Sequence, residues 1–241
     1  MRTRRTPGLA ETPRRRSRQR SWPLPLALLV LSAVPLLAGS FRVIQLLGGP
    51  VLIPADQRFA DNPVPLVVHI VAATVFALGG ILQLVPRFRR RHLGWHRRAG
   101  RVVAVAGLLV AGSAFWMASF YAPKPGTGPL LLGLRLVFAV ALTACLVLGV
   151  TRVRRGDVSA HRAWMIRAYA IALAAGTQAF TGGFAPLLPG SGALKFDIAM
   201  GSAWFINLAV AEWVIRRGRR TPSSRRTSPA DLRSVPAGTP S

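Results

Sequence analysis

Residues 63–101 read PVPLVVHIVAATVFALGGILQLVPRFRRRHLGWHRRAGR. From Pro63 to Val85 the segment is apolar without a formal charge, and its one strongly polar interruption near the start is His69. A bilayer's hydrocarbon core, about 30 Å thick, takes about 20 such residues as a helix. The run then ends abruptly in Arg87, Arg89, Arg90, Arg91, Arg97, Arg98 and Arg101. A membrane span followed by a cluster of arginines is the pattern of a helix that stops at a cytoplasmic face. Backbone polar groups in lipid must be bonded within the segment, and the apolar runs are continuous rather than alternating, so a helix is expected and a β-barrel is excluded.

The same pattern recurs outward in both directions. Apolar runs lie at about Pro23–Leu47, Pro63–Val85, Val102–Tyr121, Leu130–Val150, Trp164–Pro186 and Ile198–Ile215, which predicts six transmembrane helices. The first follows a basic tail as a signal peptide would, but it is too long for a typical signal core and is read as an uncleaved anchor. Arginines crowd the N-terminal tail, the second and fourth connections and the C-terminal tail from Arg216. The alternate connections hold only Arg58, Lys124 and Lys195, beside Asp56, Asp61 and Asp197. This alternation places both termini in the cytoplasm of a cell whose plasma membrane the chain crosses six times. The expected organisation is a cytoplasmic Arg-rich tail over residues 1–22, a six-helix domain over 23–215, and a disordered cytoplasmic tail over 216–241.

Composition agrees. The chain has 241 residues, 51% of them hydrophobic, a net charge of +25 and a mean hydropathy of +0.38. A soluble domain with that charge would need a large polar surface, whereas a membrane protein carries its charge in tails and loops. Nucleic-acid binding is disfavoured, because no recognition motif accompanies the arginines, which instead flank spans and suit anionic lipid. Arginine almost replaces lysine, which points to a high-GC, bacterial source. The single cysteine, Cys145, rules out an intramolecular disulfide.

Two connections match at an offset of 65 residues: Arg87-x-Arg89-Arg90 then His96-Arg97, and Arg152-x-Arg154-Arg155 then His161-Arg162. The following spans continue the match, with Gly107 and Ala111 against Ala172 and Gly176, and Ala114-Phe115 against Ala179-Phe180. The central four helices are therefore read as a duplicated helical hairpin in which the third and fifth spans approach through small residues. The competing reading is coincidence, since arginine is expected in both connections.

The stretch Gly156-Asp157, His161-Arg162, Trp164-Met165-Ile166-Arg167-Ala168-Tyr169, together with His69, Leu82-Gln83, His96-Arg97 and Gly100-Arg101, resembles the predicted bacterial membrane proteins of domain of unknown function 2306. The resemblance covers roughly Pro63 to Phe180. It implies a multi-helix membrane fold and carries no established activity.

Ionisable residues within spans are costly and commonly functional. Arg42, His69 and Arg135 fall in the outer half of their spans, and Gln45 and Gln178 share that level. A cluster of two arginines and a histidine without an acid suits a carboxylate or phosphate, which makes Arg42, His69, Arg135 and Gln178 candidate ligand contacts. The competing reading is that the arginines snorkel to headgroups or pair with loop aspartates. His96 and His161 occupy equivalent positions and form an alternative site, as axial ligands of a haem b in a membrane redox protein. The arginines that follow each of them argue for an interfacial position instead. Arg167 and Glu212 are expected to form a structural ion pair between the last two spans. Asp157 and Ser159 look like N-terminal caps of the fifth span. No Walker loop, zinc spacing, nucleophile elbow or dinucleotide fingerprint is present, so no soluble-type catalysis and no metal site are expected. The leading expectation is binding or transport of a small anion, with haem-based redox chemistry and a structural membrane subunit as alternatives.

Overall fold

The structure, a computed structural model, describes residues 23–85, 91–189 and 192–219. The basic tail over 1–22, the arginines at 87, 89 and 90, and the tail from residue 220 lie outside the described residues, as do the structural expectations that fall on them.

Among the described residues the protein is all helical. The α-helices are α1 (Pro23–Leu46), α2 (Val64–Leu84), α3 (Leu93–Phe120), α4 (Pro129–Arg154), α5 (Val158–Ala172), α6 (Ala174–Gly183) and α7 (Ala193–Arg219). Short 3-10 turns cover Gln57–Phe59 and Ala185–Leu187. Five of the helices, α1, α2, α3, α4 and α7, are long and apolar enough to cross a membrane. Their outward faces are apolar: Leu26, Val105, Val140 and Phe205 are each 57–60% exposed. A water-soluble surface does not carry that density of large apolar groups, whereas acyl chains accept it without cost.

Local chemistry sets the helix starts. Prolines stand in the first turns of α2 and α4, where no N–H partner is lost. Asp157 caps α5 by accepting from the Ala160 N–H at 2.9 Å, and Gly156, at φ +80°, supplies the reversal after α4. The structure gives Ser159 no cap bond. The last helix, expected over Ile198–Ile215, is longer at both ends. It begins before Asp197, which sequence reading put in a loop, and runs on through Arg216 and Arg217.

The expected fifth span, Trp164–Pro186, is not one helix, and neither of its two pieces is among those five. Its ladder stops at Leu173: the Gly176 and Thr177 N–H groups both bond back to the Leu173 carbonyl, at 3.0 and 3.4 Å. Asn207 of α7 donates Nδ2 to the Ala170 carbonyl at 3.1 Å, the acceptor that a continuous helix would give to residue 174. Thr177 Oγ1 in turn donates to Asn207 Oδ1 at 2.9 Å. The break is thus held by a side-chain network from the neighbouring helix.

The break also decides the packing. Before it, α5 packs on α4, α7 and α2; beyond it, α6 packs on α7 and α1. Helices α1, α2, α3, α4, α7 and α6 form a ring in which each packs on the next and α6 returns to α1. Helix α5 fills the centre of this ring at one end only. There Phe76, Leu146, Ala168 and Tyr169 make a close-packed core. A Cβ on Gly80 would collide with the Tyr169 ring, so that glycine is what lets α5 sit against α2.

The small residues of the proposed duplication do not face one another. A Cβ on Gly107 would press on Phe76 of α2 at 2.6 Å and Leu146 of α4 at 2.8 Å, whereas one on Gly176 would meet the Leu31 carbonyl of α1. The two expected hairpins differ in shape, because α3 is continuous and its counterpart is split.

Candidate functional site

The departure of α6 from the centre leaves a cavity of about 720 Å³ in the other half of the ring. This is the size range of small-molecule pockets. It lies toward the end of the bundle that carries the α1–α2 and α3–α4 loops and the start of α7. We call this the sparse end, because the many arginines are at the other. The wall along α4 runs from Pro129 to Leu142, a depth of about 20 Å at the helical rise.

The walls are apolar and the polar groups are few. Helix α2 contributes His69, whose Nδ1 lies 3.0 Å from Ser113 Oγ of α3. Ser113 Oγ donates to its own helix, at the Leu109 carbonyl, 2.6 Å away, which leaves its lone pairs to accept from the histidine. Helix α4 contributes Arg135, half-buried in the second turn of the helix. Helix α6 contributes Gln178, whose Nε2 donates to the Met200 carbonyl at 3.2 Å. Three of the four expected ligand contacts therefore line one cavity.

Arg42 does not. Its guanidinium folds back on the last turn of α1, donating to Gln45 Oε1 at 2.6 Å and to the Pro54 carbonyl at 2.9 Å. A long side chain at a helix end meets its own loop first, and the free carbonyls there satisfy it.

Arg58 and Lys124, which sequence reading used for orientation and not as ligand contacts, stand at the cavity in its place. Arg58 is fixed by a two-point contact with Asp56, Nε to Oδ1 at 2.8 Å and Nη2 to Oδ2 at 2.5 Å, and its Nη1 reaches the Ala122 carbonyl at 3.5 Å. The hydrogen bonds from Arg58 hold the Asp56 carboxyl below its ordinary range. Tyr121 ties the same two loops together, donating its hydroxyl to the Asn62 carbonyl at 2.6 Å, and desolvation pushes its phenol up.

The feature that sequence reading missed most completely is Asp197. It is 1% exposed and acts as a cap for a different helix. Its Oδ1 accepts from the Gly128 N–H at 2.9 Å, and its Oδ2 accepts from Gly128 at 3.1 Å and Leu131 at 3.0 Å. An acid therefore does lie near Arg135, but its lone pairs are committed to the start of α4. Among the described residues Arg135 forms no hydrogen bond or ion pair.

The other expected residues lie elsewhere. Arg167 and Glu212 come together as a two-point pair, Nε to Oε1 at 2.5 Å and Nη2 to Oε2 at 3.1 Å, and the guanidinium lies over the Trp164 ring at 4.8 Å. His161 Nδ1 lies 2.8 Å from the Gly149 carbonyl of α4. The His96 carbonyl accepts from Gln83 Nε2 at 3.3 Å. Neither histidine lines the cavity.

These features define a multi-helix membrane protein with a pocket inside its helical ring. The chain belongs to the family described as predicted membrane protein (DUF2306), which it matches over residues 66–215. Neither a curated protein nor a solved structure matches it.

Proposed function

We propose that this protein binds a small anion in the cavity at the sparse end, with Arg135 as the principal contact and His69 and Gln178 beside it. The observation that carries the reading is Arg135: a guanidinium inside the helical ring, facing an open cavity, with the nearby carboxylate of Asp197 already committed. A charge withdrawn from water and left unpaired is costly, and a carboxylate or phosphate seated against it removes that cost. The test is anion-dependent thermal stabilisation of the protein purified in a neutral detergent, probed with phosphate and acetate. Arg135→Gln abolishes the response; a variant that responds as the parent does sinks the reading.

The same reading includes topology. Helices α5 and α6 cross the bilayer together as the fifth of six spans, since broken backbone at membrane depth is tolerated where it is buried or lines a cavity. The arginine-rich end faces the cytoplasm of the plasma membrane and meets anionic lipid there. Tags at the two termini that are both protected from an external protease support this arrangement, and cleavage at either one refutes it.

A second reading is a haem held by His96 and His161. It is favoured by the His161 bond to Gly149, in which Nδ1 must donate and Nε2 is left as the ligand atom. An absorption spectrum decides it: a stoichiometric Soret band lost in both His96→Ala and His161→Ala supports it, and a flat visible spectrum from a haem-sufficient host refutes it.

A further inference from the structure

The cavity is polar at one end and apolar at the other, and we infer that its ligand is an anionic amphiphile, a carboxylate or phosphate head on a single alkyl or prenyl chain, held head toward the sparse end. The inference rests on the anion reading above and extends it. The cationic groups that line the cavity, Arg58, Lys124 and Arg135, all come from the loops or the first two turns of α4. Beyond Arg135 the α4 wall continues as Phe138, Ala139 and Leu142, a further descent of about 10 Å. Trp204 stacks on Phe138 with centroids 4.8 Å apart and closes that side.

An inorganic anion would use the upper part of this space and leave the rest lined by hydrocarbon with nothing to contact. Such a void forfeits the contacts that a filled one has. A chain of about eight methylene groups reaches from the level of Arg135 toward Leu142, at roughly the depth given by the helical rise. The remaining polar atoms in the lower wall do not call for a second head. The Tyr169 hydroxyl donates to the Ala77 carbonyl at 3.1 Å, and Ser32 Oγ donates to the Leu28 carbonyl at 2.8 Å. Lower-wall hydroxyls that are already bonded leave a surface suited to a hydrocarbon tail. The two heads share one chemistry, and they differ in source: a free fatty acid on one side, a lipid-derived or prenyl phosphate on the other.

The experiment uses the full chain in nanodiscs of zwitterionic lipid and a decanoic acid carrying a diazirine at its terminal carbon. Photolysis is expected to label Phe138, Leu142 or Trp204 in preference to the lipid-facing Val105, Val140 and Phe205, with labelling at least about tenfold lower in Arg135→Gln. Decanoate and decyl phosphate compete and decanol does not; whichever of the two anions competes more strongly identifies the source. If acetate or inorganic phosphate competes as well as decanoate, the site holds an anion but no tail, and the amphiphile inference is overturned while the anion reading stands. If labelling falls on the lipid-facing valines and no anion, long or short, protects the protein, both are overturned.

Discussion

The two ends of this helical ring carry charge in opposite ways. At the arginine-rich end, Arg97, Arg98, Arg101, Arg152, Arg154, Arg155, Arg162, Arg216 and Arg217 are all exposed. Arg217 even lies across the exposed face of Trp213 at 3.9 Å, where a headgroup region accommodates both. At the sparse end there are few cations, and each has its own setting: Arg42 is bonded to Gln45 and the Pro54 carbonyl, Arg58 is paired with Asp56, and Arg135 faces the cavity without a hydrogen-bond partner among the described residues. On the proposed topology, abundance at one end sets orientation, and single residues there are interchangeable. Scarcity at the other end makes each side chain specific, because its surroundings were built around it.

The sharpest way to break this contrast is to remove one arginine from each end. Arg135→Gln is expected to weaken anion binding by about tenfold to a hundredfold, the value of a charge-assisted hydrogen bond, and Arg154→Gln to change it less than about threefold. Equal effects from the two, read by the same thermal-shift titration, would show that the ends differ only in number. Next in size is Asp197→Ala, which strands the Gly128 and Leu131 N–H groups; it should cost about 2 kcal/mol, measured by reversible unfolding in mixed micelles. Asn207→Leu removes the bonds that hold the break at Leu173 and should cost about 1 kcal/mol, since hydrogen bonds between membrane helices are worth little more. It should also reduce ligand binding, which a purely local effect would leave alone. The smallest effect is that of pH on the Asp56–Arg58 pair. Because the folded carboxyl titrates below its ordinary value, its contribution is complete above that value and is lost only as pH falls through the depressed one. Ligand affinity should therefore show no change from this pair between about pH 7 and about pH 5, and a loss there that Asp56→Asn abolishes would contradict the assignment.

The fold was readable from sequence where one dimension suffices. A run such as Val64–Leu84 needs no partner to declare itself as a helix long and apolar enough to cross a membrane. What depended on a neighbouring helix was not readable. The segment around Leu173 contains neither proline nor an adjacent pair of glycines, and its break is held by an asparagine 34 residues further on. Asn207 was nevertheless visible as an amide in the middle of an apolar span, a signal that deserved weight. Asp197 was assigned to the connection before a span expected to start at about Ile198. In the structure its cost is offset by the N–H groups of another helix, a pairing that no local pattern announces. Of the four expected ligand contacts, His69, Arg135 and Gln178 sit in helix bodies, where height along a span translates into height in the bundle. Arg42 sits in a last turn, where the side chain is free to fold onto the loop that follows.

The split between α5 and α6 gives the ring a floor as well as a hollow. Packed side chains close the space on the arginine-rich side, while the hollow extends to the loops on the other. If the proposed ligand enters past those loops, its occupancy follows its concentration on that side of the ring. On the proposed reading, carrying a ligand from one face to the other would require this floor of packed side chains to yield.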